Sequence, residues 1–130
     1  MLTDRQRTGL LGERVAARWL RARGWTILAE RFRAGHRDID LIVAQRDPMT
    51  GGRLVVFVEV RTRRSALWGD PIETVRVEKQ RQVAQAARAW IVSNSRPRDI
   101  YRFDVLGIRF DGIRTIVHHV PDAFWRRSFG

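Results

Sequence analysis

Leu54-Val55-Val56-Phe57-Val58-Glu59-Val60-Arg61-Thr62-Arg63 is the stretch on which the fold turns. β-Branched and aromatic residues run unbroken from Leu54 to Val58, which predicts a buried strand. At its end stand a carboxylate, Glu59, and a cation two residues on, Arg61. Strand side chains alternate between faces, so Val55, Phe57, Glu59 and Arg61 are expected to point the same way. An acid at the end of a core strand is costly unless its charge is compensated. A metal ion, a cation or both would do this; on this segment alone a strand-end salt bridge between Glu59 and Arg61 is the simpler reading.

Upstream, Arg37 to Ala44 reads as a second strand, with Ile39, Leu41 and Val43 on one face and Asp38, Asp40, Ile42 and Ala44 on the other. Asp is disfavoured in strands, so Asp40, set against the apolar run, calls for a reason. Gln45 to Gly52 is a polar hairpin loop that returns the chain antiparallel, which would bring Asp40 beside Glu59 on one sheet face. Before these lie a strand from Trp25 to Phe32 and a turn at Arg33-Ala34-Gly35-His36. The chain starts with a helix. Thr3 and Gln6 match a capping box, and Gly24 supplies a stop. Leu11, Val15 and Trp19 form one apolar stripe, with Leu10, Ala17 and Leu20 nearby. Gly9, Gly12, Ala16 and Leu20 form a second, narrow enough for close approach. Glu13 borders that packed side, although taken alone it reads as an exposed, paired glutamate.

Downstream, Ser65 to Asp70 reads as a loop containing Trp68 and Gly69. Asp70-Pro71-Ile72-Glu73 reads as the cap of a helix, or broken pair, reaching about Ser93. Val83, Ala87 and Trp90 mark its buried stripe, and Lys79 lies one turn before Val83, where a lysine often only snorkels. Strands are expected over Ile100–Phe110, with Asp104 among apolar neighbours, and over Ile113–Val120, joined at Asp111-Gly112. The tail Ala123-Phe124-Trp125-Arg126-Arg127 is aromatic and basic. The expected architecture is α/β: a mixed central sheet flanked by helices, in the order α-β-β-β-α-β-β, within a single domain over residues 1–130.

The formal net charge is +11, from 25 Lys and Arg against 14 Asp and Glu, which points to a polyanionic partner, nucleic acid first. Lys79 is the only lysine, so single arginines carry less meaning than the total. The chain has no cysteine, which excludes disulfides and thiolate metal sites and is compatible with the cytoplasm. There is no secretory h-region at the N-terminus and no apolar run near the roughly 20 residues of a membrane span, so no membrane association is expected.

Three acids, Glu13, Asp40 and Glu59, could converge at one sheet edge. Oxygen ligands without His or Cys suit Mg²⁺ or Mn²⁺, which can bridge a phosphate and activate water. A surrounding arginine field, with Arg37, Arg63 and Arg64 as candidates, would hold a phosphodiester backbone. Zinc fits poorly: His118 and His119 are adjacent on a strand and face opposite ways, and His36 sits in a turn.

Gly12-Glu13, Asp38-Ile39-Asp40-Leu41-Ile42, Phe57-Val58-Glu59-Val60-Arg61-Thr62-Arg63, Gly69-Asp70-Pro71, Lys79, Arg102-Phe103-Asp104-Val105 and Ala123-Phe124 together resemble the YraN family of small bacterial proteins, UPF0102. The likeness runs from about Gly9 to Phe124. It implies a restriction-endonuclease-like fold similar to archaeal Holliday-junction resolvases. Carried over, it makes Glu13, Asp40 and Glu59 site acids, with the Val60 carbonyl as a further metal ligand. Where the superfamily pattern expects lysine this chain has Arg61, which cannot act as a base but can orient water or stabilise the developing charge; Lys79 is a further catalytic candidate that would reach the site from the second helix. The implied function is metal-dependent hydrolysis of phosphodiester bonds in DNA, branched DNA included. The alternatives are a nucleic-acid-binding module that keeps the fold without the chemistry, and a scaffold for an acidic protein. Resolvases cut two strands with paired sites, so a homodimer is expected by analogy.

Overall fold

The computed structural model describes residues 1–64 and 77–124. The elements are α1 (Asp4–Ala22), β1 (Thr26–Ala34), β2 (Arg37–Arg46), β3 (Arg53–Arg63), α2 (Val77–Asn94), β4 (Ile100–Asp111) and β5 (Arg114–Val120). Their order is the α-β-β-β-α-β-β expected from sequence. The loop around Trp68, the cap at Asp70 to Glu73 and the tail from Trp125 lie outside the described residues.

The five strands pair in chain order, so β3 is the middle strand. It is antiparallel to β2 and parallel to β4, with α2 in the crossover. Both faces of β3 are covered, which explains why its apolar run does not alternate with polar residues. On one face Val55 and Phe57 meet Val83, Ala87 and Trp90 of α2 together with Phe103. On the other, Val56 and Val58 meet Ala16, Ala17 and Leu20 of α1 together with Leu106 and Ile108.

α1 opens on the expected capping box: the Gln6 N–H donates to Thr3 Oγ1 at 3.1 Å, and the Thr3 N–H to Gln6 Oε1 at 2.8 Å. Its buried face is the small-residue stripe of Thr8, Gly12, Ala16, Ala17 and Leu20. Leu11, assigned to an apolar stripe from spacing, is 43% exposed. The reason is close approach: a β-carbon at Gly12 would collide with the Thr62 side chain. A helix lying this near the sheet presents its narrow side to it, and the large residues fall to the flanks.

The face assignment of β2 also needs correction. Leu41 and Val43 pack towards α1, but Ile39 joins Ile42 and Ala44 on the α2 side. Strict alternation therefore fails at Asp40. Two features coincide there. The β2–β3 ladder stops at Leu41↔Val58, one step short of placing Asp40 opposite Glu59. Across the other neighbour, the β1–β2 pairs run from Glu30↔Leu41 to Phe32↔Ile39, with Arg31 between them at φ 50°. A left-handed conformation is unusual for so bulky a residue and turns the local chain. β1 is also longer than expected, since Arg33 and Ala34 pair with Asp38 and Arg37 and only Gly35-His36 forms the turn.

Candidate functional site

The candidate site lies where β2 and β3 part. With the ladder ended, the Val60 N–H has no strand partner on the β2 side and donates instead to Asp40 Oδ2 at 2.7 Å. A side chain thus takes over from the backbone, and Asp40 is fixed against β3. Glu59, one residue before Val60 on β3, is 4% exposed. Its Oε1 lies 3.7 Å from Arg61 Nη1 and 4.0 Å from Lys79 Nζ. Its Oε2 is buried with no hydrogen-bond partner among the described residues. The Glu59–Arg61 salt bridge expected from sequence is therefore present, but long, and it engages one oxygen.

Both carboxyls hold their protons more tightly than usual. Burial raises Glu59 to about 8; the nearby Asp40 adds to this, while Lys79 and Arg61 oppose it. Burial likewise raises Asp40 to about 6; the Val60 N–H pulls it down, and Glu13 pushes it up. Asp40 thus feels acids from both sides, Glu13 from α1 and Glu59 from β3. Two adjacent buried acids without full compensation keep a proton or take up a cation.

The three acids form a row with Asp40 in the middle, not a cage. Among the described residues no group of three or more His, Cys, Asp or Glu side chains could hold a metal ion, which corrects the expected three-way convergence. The cause is topological: α1 and α2 cover opposite faces, so Glu13 and Glu59 reach Asp40 from different sides. Glu13 is engaged at 3.2 Å by Arg31 Nε, the residue with the left-handed backbone.

An open cleft of about 610 Å³ adjoins the row on the α1 side. Glu13, Asp40, Val60 and Arg61 line it, with Arg5, Arg31, Arg63 and Arg64 as further cationic wall. Arg64 is anchored, its Nε donating to the buried Thr8 Oγ1 at 2.6 Å. Glu59 and Lys79 lie off this wall, on the α2 side. Lys79 also pairs with Asp38 at 3.5 Å. Arg37 is exposed at the start of β2, paired with Ala34 in the hairpin, and is not part of the wall. Arg5, Arg31 and Asp38 were not singled out from sequence. Asp38 carried a signal, since it precedes the apolar run just as Asp40 does; Arg31 carried none, because its role comes from a local backbone irregularity.

A family model described as "Uncharacterised protein family UPF0102" matches residues 12–108. The chain belongs to this family. A UPF0102 protein of Myxococcus xanthus is 38% identical over 121 residues, 93% of this chain and 91% of the relative. One from Bifidobacterium longum is 37% identical over 125 residues, covering 95% and 96%. One from Anaeromyxobacter dehalogenans is 40% identical over 120 residues, covering 92% and 85%. The UPF0102 span takes in Glu13, Asp40, Glu59 and Lys79, whereas Arg5 on the cleft wall lies before it.

Proposed function

We propose that this chain is a metal-dependent endonuclease acting on DNA, with Asp40, Glu59 and the Val60 carbonyl as ligands of one Mg²⁺ or Mn²⁺. The observation that carries the reading is Glu59 Oε2, a buried carboxylate oxygen without a partner among the described residues, beside a second buried acid. The donor set suits the ion: two carboxylates and a carbonyl, hard oxygens in a chain without cysteine. When bound, such an ion polarises a phosphate and lowers the pKa of a water beside it. The chain's own residues do the rest. Asp40 is held in place by the Val60 N–H. Arg63 and Arg64 on the wall grip the phosphodiester backbone. Arg61 and Lys79, both near Glu59 Oε1, offer positive charge to the reacting phosphate. Double-strand cutting would take two copies of the chain.

The test is incubation with four-way junction, flap and linear duplex DNA in Mg²⁺ or Mn²⁺. Cleavage that disappears in Asp40→Asn and Glu59→Gln is expected. No cleavage of any of these substrates would remove the catalytic reading. A second reading is favoured by Arg61, a fixed cation already placed against Glu59. It is a non-catalytic nucleic-acid-binding module. It expects salt-dependent DNA binding that Asp40→Asn and Glu59→Gln leave unchanged or strengthen, because Asp40→Asn removes negative charge and Glu59→Gln adds none.

A further inference from the structure

A second cleft, of about 630 Å³, opens at the other end of the sheet. Arg53 on its wall and Glu59 are both on β3, six residues and roughly 20 Å apart at the usual strand rise. The cleft is lined by Arg46, Arg53, Arg96 and Arg98, with one acid, Asp99. That acid is spent. Its carboxylate takes Arg53 Nε at 3.0 Å and Nη2 at 2.7 Å, and the Arg96 N–H at 2.9 Å. Asp99 and Arg53 therefore neutralise each other, and the charge of Arg46, Arg96 and Arg98 faces the cleft without an equal counter-charge on its wall.

The cluster is built into the loops. Any β-carbon at Gly52 would run into the Arg98 backbone, so the loop before β4 can lie on the β2–β3 loop only because glycine is there. Arg98 holds φ 66°, an uncommon conformation for a bulky residue, and its Nη1 lies 3.3 Å from where a Gly51 β-carbon would be. The guanidinium thus lies over Gly51. Leu28, Ala44 and Pro97 supply apolar wall beside it.

We propose that this cleft is a phosphate-binding site, taking a nucleotide monophosphate or the phosphorylated end of a nucleic-acid strand. Guanidinium groups suit phosphate because they are planar, permanently charged and weakly hydrated. The apolar wall suits the attached nucleoside. The site stands apart from Glu59 and does not depend on nuclease activity there.

The test is an amide-shift titration by NMR of the whole chain with adenosine monophosphate, and with a 5′-phosphorylated tetranucleotide beside its unphosphorylated twin. Saturable shifts at Gly51, Gly52 and Asp99 are expected, weakened about tenfold or more in the double variant Arg46→Gln, Arg98→Gly, in which glycine keeps the left-handed backbone. The single variant Arg46→Gln, on the exposed end of β2, gives a smaller loss with no demand on the loop. Binding of the monophosphate alone identifies a free nucleotide; a phosphorylated strand binding at least tenfold tighter than its twin identifies a strand end, and either supports the site. No saturable shift at these residues, or variants that bind as well as the wild type, would overturn it.

Discussion

Asp104 and Glu59 are both buried carboxylates on neighbouring strands, 2% and 4% exposed, yet their surroundings are opposite. Asp104 is surrounded by donors. Arg102 gives it Nε and Nη2, each at 2.8 Å; the Asp122 N–H lies at 3.0 Å; and His119 Nε2 lies at 2.7 Å. Burial alone would raise its pKa, but the bonds to His119, Arg102 and Asp122 outweigh that and hold it below the ordinary carboxylate range. Among the described residues, Glu59 has two long ion pairs to one oxygen and no bond to the other. The lesson is that burial does not decide what an acid is for. Asp104 is a fastener between β4, β5 and the segment after β5; Glu59 retains an unmet demand for positive charge, the property a cation site requires.

The largest expected effect is on the fastener. Asp104→Ala would take the shared acceptor from the half-buried Arg102, from His119 and from the Asp122 N–H, and should cost about 2–4 kcal/mol of stability, read by urea unfolding. A smaller loss than that of Glu59→Ala would break the contrast. Next is Gly12→Ala, whose β-carbon meets Thr62; a loss of about 1–3 kcal/mol is expected, partly restored by adding Thr62→Ala. It sharpens the comparison because it moves α1, and with it Glu13, whereas α1 touches the Asp104 network only through the Trp19 ring against His119.

The pH dependence of stability separates the two acids by sign. Glu59 keeps its proton to about pH 8 in the folded chain against an ordinary 4.5, so its contribution is full below about 4.5 and is lost as pH rises through about 8. Asp104, with its pKa lowered, contributes above its ordinary 3.8 and loses that contribution as pH falls through the lower folded value. Without divalent ions, Glu59→Gln should therefore gain on the wild type as pH is raised from about 5.5 to about 8.5, by up to about 3 kcal/mol. Unfolding curves at the two ends of that range that run parallel would contradict the assignment. The smallest effect on stability is that of Arg61→Lys, within about 0.5 kcal/mol, since the long pair with Glu59 contributes little. Its value is chemical: DNA cleavage gained on this change would show that the arginine had silenced a site otherwise intact.

The sequence announced most of this fold, for identifiable reasons. The unbroken run from Leu54 to Val58 can only be a strand covered on both faces, and the Gly9-Gly12-Ala16-Leu20 stripe marked the helix side that approaches it. Asp40 and Glu59 stood out because acids against apolar runs violate local preference. What could not be read was three-dimensional. The break in alternation at Asp40 coincides with Arg31 taking a left-handed conformation across the strand, which no pattern encodes. The separation of Glu13 from Glu59 follows from the helices covering opposite faces, and spacing along the chain says nothing about that. The role of Asp104 was not read from sequence, since only Arg102 is near it in the chain, whereas His119 and the Asp122 N–H come from β5 and the segment after it.

The most direct test is calorimetric titration of Mn²⁺ into the protein at about pH 7, in two buffers of different ionisation enthalpy, for the wild type and Glu59→Gln. A cation entering a site where Glu59 still holds its proton must displace it, so saturable binding with release of about one proton is expected, with both lost in the variant. No saturable heat, or binding that releases no proton and is unchanged in Glu59→Gln, would contradict the central claim.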